Sequence, residues 1–399
     1  MITVDEAVKL LRDKARDLGT ETVPLEKALG RVLAGNVHAD RDYPPFNRAT
    51  MDGYALSYQE WETGARKFRV EEIVFPGIDI SRPPQAGSCY QILTGAAVPP
   101  GLDMIIRKED SILSIEEMAV SFPDLEVKRG QNIALRGKDL AAGDRVYGLV
   151  KRLGPVEISV LAALGKYELI VNRQPSVAVF TTGNEVKAQG EEVLAVEIRN
   201  SNLFLLKALL EKWSIYPSEV AHIQDTQFAV EKALKAGLKY DVIIFNGAVS
   251  AGESDFVPEV LTEAGMTVIF QQVAMRPGRP VLFGIFKNGP VVFALPGNPL
   301  SCLVTFQIFV DDFLRCCVKL PQKPARVVQL DSARVKDHRL TEFFPVQLGG
   351  PGSGASIVPF NGSGDIRACL TATGLAVQES DVFSLDAGSS VTYYPFDPN

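Results

Sequence analysis

Three short apolar runs, none of them alternating, each pass directly into a polar loop that carries glycine. Residues 176–180 (Ser-Val-Ala-Val-Phe) lead into Thr181-Thr182-Gly183-Asn184-Glu185. Residues 241–245 (Asp-Val-Ile-Ile-Phe) lead into a loop at 246–255 that holds Gly247, Ser250, Gly252, Ser254 and Asp255. Residues 291–295 (Val-Val-Phe-Ala-Leu) lead into Pro296-Gly297-Asn298-Pro299-Leu300-Ser301. Runs of this length without alternation read as strands buried on both faces of a parallel sheet. In such sheets ligands bind outside the carboxyl ends of the strands, where these three loops would converge. Backbone N–H groups, hydroxyls and carboxylates gathered there describe a site for a phosphorylated or otherwise anionic ligand.

The rest of the chain surrounds this layer. With 399 residues it exceeds what one core usually supports, so two to four domains are expected. Residues 3–18 have the helical period, with Thr3 and Glu6 forming a capping box. A second helix is expected at 25–34, after Pro24. Residues 45–140 are strand-like and rich in turns, with strands expected at 67–75, 89–93, 103–107 and 118–122, and read as an inserted, mostly β domain. A helix at 154–165 returns to the N-terminal elements. Residues 174–320 then alternate strands with helices at 201–213, 227–236, 254–264 and 300–316, the pattern of a doubly wound α/β layer. From 321 to 399 the glycine-rich turns and alternating segments read as a small β-barrel or sandwich. The expected division is therefore 1–44 with 141–173, then 45–140, 174–320 and 321–399.

Charge and residue usage exclude several roles. The net charge of −7 offers no clustered basic excess for nucleic acid or a membrane surface. No apolar run approaches the roughly 20 residues that span a bilayer. The first residues lack the basic and apolar regions of a signal peptide. Cys89, Cys302, Cys316, Cys317 and Cys369 make no C-x-x-C pair, which fits free thiols in a reducing cytoplasm. Only His38, His222 and His338 are present, too few and too scattered for a histidine-based zinc site or triad.

The loops differ in how much they specify. At residues 181–185 the hydroxyls and Gly183 let an oxyanion approach backbone donors, although an ordinary polar turn has the same composition. Residues 246–255 are longer than a plain strand-to-helix loop capped by Ser254 requires. The Pro296–Pro299 turn is the most specific. Its prolines pin φ, Gly297 permits positive φ, and Ser301 with its neighbours' N–H groups is delivered to the start of an apolar helix. Ahead of it, Met275-Arg276-Pro277-Gly278-Arg279-Pro280 places two guanidiniums on a second rigid turn, and arginine offers bidentate geometry to an oxyanion. Asp52, Asp139, Glu185, Asp225 and Asp255 sit in loops. Each alone reads as a cap or ion-pair partner; together they are a donor set suited to Mg²⁺, which takes oxygen ligands and keeps several waters.

Seven motifs in order carry a resemblance: Met51-Asp52-Gly53-Tyr54-Ala55, Leu93-Thr94-Gly95-Ala96, Arg136-Gly137-Lys138-Asp139, Thr182-Gly183-Asn184-Glu185, Gly252-Glu253-Ser254-Asp255, Arg276-Pro277-Gly278-Arg279-Pro280 and Leu295-Pro296-Gly297-Asn298-Pro299. Together they resemble the MoeA family, the molybdopterin molybdenumtransferases, related to the insertase part of gephyrin. The resemblance spans essentially the whole chain. It implies four domains: an elongated helical N-terminal domain, an inserted β domain, an α/β domain like that of the MoCF and MogA proteins, and a C-terminal β-barrel. It also implies a cytoplasmic homodimer whose active site lies between subunits, with the molybdopterin adenylyltransferase as a candidate partner. The implied reaction inserts molybdate into adenylylated molybdopterin, with Mg²⁺-dependent release of AMP. The positions that match the family's pocket are Asp52, Thr94, Asp139, Glu185, Asp225 and Asp255, with metal roles for Glu185, Asp225 and Asp255. Arg136, Thr182, Gly183, Ser250, Arg276, Arg279, Pro296, Gly297, Asn298, Pro299 and Ser301 are assigned to binding the substrates.

The chain also departs from the family pattern. Asn246-Gly247-Ala248 stands where Ser-Gly-Gly is usual, Asn200 replaces an acid, and Lys138 replaces an acid between Gly137 and Asp139. Arg276 and Arg279 stand in place of lysines, and Asp365-Ile366-Arg367-Ala368 follows Gly362-Ser363-Gly364 where small hydroxyl residues are typical. These changes motivate an alternative: a catalytically impaired paralogue acting as a pterin-nucleotide-binding scaffold dimer. An unrelated nucleotide pyrophosphatase, resembling the competence-damage-type proteins, would share only the α/β layer. The choice between molybdate and tungstate is not specified by these residues.

Overall fold

The computed structural model describes residues 1–148, 151–247, 249, 256–324, 326–350 and 354–396. The chain forms two compact units, one of residues 1–34, 150–159 and 167–399, the other of residues 35–149 and 160–166.

The first unit is built on a six-stranded sheet in the order Glu219–Ile223, Val177–Thr182, Val242–Asn246, Val291–Leu295, Leu282–Ile285, Thr267–Gln271. The first four strands run parallel, and Leu282–Ile285 pairs antiparallel with both Val291–Leu295 and Thr267–Gln271, so the layer is mixed at one edge. The three expected central strands are buried at every position, because helices cover both faces. Their register sets Thr181 beside Asn246 and Asn246 beside Leu295, which brings the three loops level at one end. One core lies on the side of Leu206, Leu210, Phe293, Phe309 and Phe313; the other lies beneath Phe180, Val230, Phe245, Val257 and Leu261.

The helix after Pro299 is continuous from Pro299 to Cys317 but passes through a wider π turn at Phe306–Val310, all five residues of which are buried. The N-terminal helix, Val4–Arg12, begins with the capping box expected at Thr3 and Glu6 and packs through Val4, Ala7 and Leu11. Arg12 holds it to the later helix by a two-point ion pair with Asp312, at 2.7 and 2.9 Å. It ends six residues earlier than the periodicity predicts, since the following N–H groups turn back to the Leu11 and Arg12 carbonyls. The helix expected at 25–34 is only the 3₁₀ turn Leu25–Lys27. Gly30, at φ +77°, breaks it, and Val32 and Leu33 bridge to Arg152 and Val171 instead.

Beyond residue 326 the chain forms an antiparallel sheet of Thr341–Leu348, Gly374–Gln378, Ser390–Pro395 and Arg326–Gln329. Ala355–Ile357 pairs with Thr341–Leu348, and a bridge from Leu330 to Ala355 joins the two edges. Leu330, Phe344, Val346, Ala376 and Tyr393 fill the interior, as in a small barrel. Met275–Arg276 adds to this sheet in parallel beside Thr341–Leu348, so the arginine turn is held by the barrel as well as by the α/β layer.

The second unit is mostly β, as residues 45–140 lead one to expect. Its sheet runs Met104–Arg107, Gly53–Leu56, Ser88–Ile92, Lys67–Val74, Ala119–Ser121, Ile112–Ser114. All five cysteines are free thiols. Burial pushes those of Cys89, Cys302, Cys317 and Cys369 up to about 12, which disfavours the thiolate. Among the described residues no helix is long and apolar enough to cross a membrane.

Candidate active site

A cleft of about 1280 Å³ opens over the carboxyl ends of the three central strands. Its floor is made of close backbones. Gly247 (φ +97°) lies against Thr182: a Cβ there would stand 2.7 Å from Thr182 Oγ1 and 2.9 Å from its carbonyl. Gly183 (φ +136°) leaves no room for a Cβ, which would meet Val186 Cγ2 at 2.6 Å. Gly297 is not in the left-handed region, contrary to expectation; a Cβ would find only the Gly247 Cα, at 3.6 Å. The turn is held instead by side chains. Asn202 Nδ2 donates to the Gly297 carbonyl (2.6 Å) and to Asn246 Oδ1 (2.9 Å), and Asn246 Nδ2 donates to the Pro296 carbonyl (2.8 Å). Both asparagines are buried, and among the described residues Thr182 Oγ1 and Asn202 Oδ1 have no hydrogen-bond partner.

A second network braces the loop after Val177–Thr182. Asn200 caps the helix Ser201–Glu211 by accepting from Leu203 N, and its Nδ2 donates to Thr181 Oγ1 at 2.8 Å. His222 Nε2 lies 3.0 Å from the Gly183 carbonyl and so carries the proton, leaving Nδ1 to accept from the Thr181 hydroxyl at 3.1 Å.

The arginine turn forms the opposite wall. The Arg276–Pro277 bond is cis, and Gly278 (φ +105°) sits where a Cβ would meet Thr305 Cγ2 at 2.6 Å. Val273 N donates to the Arg279 carbonyl and Val281 N to that of Gly278, closing the turn on itself. Arg276 and Arg279 are exposed, and among the described residues neither has a carboxylate partner. Ser301 lies on the same wall and is buried. The helix start offers fewer donors than expected: Pro299 has no N–H, and Leu300 N donates to the Ser363 carbonyl at 3.1 Å. Asn298 leaves its capping role to donate to Ser363 Oγ at 2.9 Å, so the 362–364 turn closes this corner.

Glu185 and Asp225 supply the carboxylates. Glu185 folds back over Gly183, and Asp225 N donates to Asn184 Oδ1 at 3.2 Å. Two further acids on the wall are already neutralised, Glu197 by Lys187 (3.2 Å) and Glu342 by Arg334 (2.8 Å). Among the described residues no three His, Cys, Asp or Glu side chains stand close enough to cage a metal ion. A pair of wall carboxylates with no nitrogen or sulfur donor suits a hard cation that completes its shell with water and phosphate oxygens. Ser250 and Asp255, assigned to the site on sequence, lie outside the described residues, as does Ala248.

Asp52, Thr94, Arg136 and Asp139 lie in the second unit, and none of them lines the cleft. Asp52 Oδ1 accepts from Thr94 N (2.8 Å) and Thr94 Oγ1 (2.7 Å), with Lys108 Nζ at 3.6 Å from Oδ2. Those bonds hold its carboxyl below the usual carboxylate range. Arg136 is engaged with Asp42 at 2.6 Å, and Asp139 shares its loop, held by its N–H to the Tyr43 carbonyl. Sequence reasoning missed Arg199 and Asn202, both on the cleft wall. Arg199 ends an unremarkable polar stretch, and the role of Asn202 exists only once Asn246 and Gly297 are packed against it.

Residues 2–165 match the family described as MoeA N-terminal region (domain I and II), and residues 178–316 match that described as Probable molybdopterin binding domain. A molybdopterin molybdenumtransferase of Synechocystis sp. is 29% identical over 399 residues, covering 99% of this chain and 100% of the relative. One from Staphylococcus aureus (strain Mu50) is 30% identical over 408 residues, covering 98% and 94%. A crystal structure of a molybdopterin biosynthesis MoeA protein from Pyrococcus horikoshii OT3 superimposes with a TM-score of 0.78 at 26% identity, covering 99% of this chain and all of that one. With its fold and both halves of its sequence matched, the chain belongs to the MoeA family.

Proposed function

We propose that this protein acts in molybdenum cofactor biosynthesis by inserting molybdate into adenylylated molybdopterin, with release of AMP. The observation that carries the reading is the pairing, on one cleft, of two arginines that among the described residues have no carboxylate partner with a buried serine and two carboxylates. Molybdate is a tetrahedral dianion, and Arg276, Arg279 and Ser301 offer it charge-assisted and hydroxyl donors from a turn whose backbone is already fixed. The cleft volume, above the usual size of a small-ligand site, leaves room for a nucleotide beside the oxyanion.

Glu185 and Asp225 face that nucleotide and would hold Mg²⁺ there with the phosphate oxygens. When bound, the ion neutralises the pyrophosphate and polarises the phosphorus under attack. Thr182 and the Gly183 and Gly247 backbones let the substrate lie directly on the strand ends, which excludes water from that side. We further propose a homodimer in which the second unit of one subunit faces the cleft of the other. Asp52, Thr94, Arg136 and Asp139 would then complete the site in trans.

A second reading, a pterin-nucleotide-binding scaffold without turnover, draws support from Asn246. Where the family pattern has a hydroxyl, this carboxamide is fully engaged with Asn202 and Pro296. Equilibrium binding and AMP release, measured side by side on the purified protein, separate the two. A scaffold binds the adenylylated pterin and releases no AMP; an insertase releases AMP only when molybdate and Mg²⁺ are both supplied.

A further inference from the structure

Arg276 and Glu342 are direct neighbours in register on parallel strands, and yet no ion pair joins them. Side chains of such partners leave the same face of the sheet from backbones about 4.8 Å apart. Both line the cleft, Arg276 exposed and Glu342 buried. In isolation they would attract strongly at this depth.

Glu342 is instead held from behind. Arg334 reaches Oε1 at 2.8 Å and His338 Nε2 reaches Oε2 at 3.2 Å. Leu340 N donates to His338 Nδ1 (3.3 Å), so the ring proton sits on Nε2, directed at the carboxylate. Arg334 is itself fixed, stacked over Phe344 at 4.3 Å and hydrogen-bonded to Gln378 Oε1. Gln378 is fully buried and anchored through Nε2 to the Val382 carbonyl. Lys336 makes no ion pair with Glu342: its ammonium donates to the Leu340, Glu379 and neighbouring carbonyls.

The geometry points to a clamp: Arg334 and His338 sequester Glu342 so that Arg276 stays available to the oxyanion. Arg334 is thereby a positioning residue, one that never touches substrate. Without the clamp the carboxylate turns to its strand neighbour, cancels one of the two cations on the turn, and occupies the place of the anion. The inference rests on the reading of Arg276 and Arg279 as the oxyanion site.

The test is calorimetric titration with molybdate alone on the full-length chain and on R276A, R334Q, E342Q and R334Q/E342Q. R334Q should weaken binding about tenfold, the scale of one charge-assisted contact. E342Q alone should change it by less than about twofold, because that carboxylate is already neutralised. The double variant should return to near the wild-type affinity, since no carboxylate is left to capture Arg276. A double variant as weak as R334Q overturns the clamp and leaves Arg334 with a structural part only. If R334Q does not fold, E342Q decides: unchanged affinity supports the clamp, and tightening of about tenfold overturns it. Unaltered binding in R276A would overturn the oxyanion-site reading itself, and the clamp with it; weakened binding in R276A without rescue in the double variant overturns the clamp alone.

Discussion

Asn202 Nδ2 lies 2.9 Å from Asn246 Oδ1, and this contact fixes the floor of the cleft. Neither amide can be turned over. Asn246 must point its Nδ2 at the Pro296 carbonyl, and Asn202 must point its own at Gly297 and Asn246. The pair therefore ties the ends of Val242–Asn246 and Val291–Leu295 to the helix Ser201–Glu211, and holds the 296–299 turn without a left-handed glycine.

Replacing Asn246 by leucine keeps the shape and removes both bonds while leaving the Pro296 carbonyl buried and unpaired. Unfolding in urea should show a loss of about 1–3 kcal/mol. No change in the midpoint would mean that the pair contributes nothing to the floor.

Arg279→Ala should raise the molybdate concentration for half-saturation by about 10- to 100-fold, the equivalent of one charge-assisted hydrogen bond. The affinity for AMP should stay near the wild-type value. If the nucleotide affinity falls and the molybdate affinity does not, Arg279 belongs to the phosphate end of the cleft.

Gly278→Ala tests the turn that carries both arginines. The positive φ and the 2.6 Å approach to Thr305 Cγ2 should together cost about 1–3 kcal/mol, with weaker molybdate binding. Gly364→Ala, where a Cβ meets nothing within 4 Å, is the control and should be neutral. Equal melting temperatures for the two variants would remove the constraint.

Asp241 gives a pH signature. Burial pushes its carboxyl up, but hydrogen bonds from Arg173 and Ser176 outweigh that and hold it below the usual range. A depressed folded value stabilises above the unfolded pKa of about 3.9 and is lost as pH falls through the folded value. Asp241→Asn should therefore cost about 2 kcal/mol at neutral pH, with the gap to wild type closing below about pH 4. A gap that is the same at pH 7 and pH 3 would assign the loss to shape and not to charge.

Much of this was legible in the sequence, and the reasons differ by feature. The central strands announced themselves because burial on both faces leaves unbroken apolar runs rich in Val, Ile and Phe, and their glycine loops marked the cleft. The capping box of Thr3 and Glu6 is local, so it needed no tertiary information. The helix expected at 25–34 failed because Val32 and Leu33 found partners in residues 152 and 171, which no local period reports. Gly297 was misread for a similar reason, since its turn is held by Asn202 from almost a hundred residues away. Arg334 and Glu342 look like surface charges in the sequence; only the register beside Arg276 gives them meaning.

The most direct measurement is AMP release from adenylylated molybdopterin by the purified protein with Mg²⁺, in the presence and absence of molybdate, with molybdenum-bearing pterin quantified in parallel. An insertase releases AMP when molybdate is added and yields molybdenum-bearing pterin in equal amount. Tight binding of the pterin nucleotide with no AMP released under either condition would contradict that function and leave a scaffold.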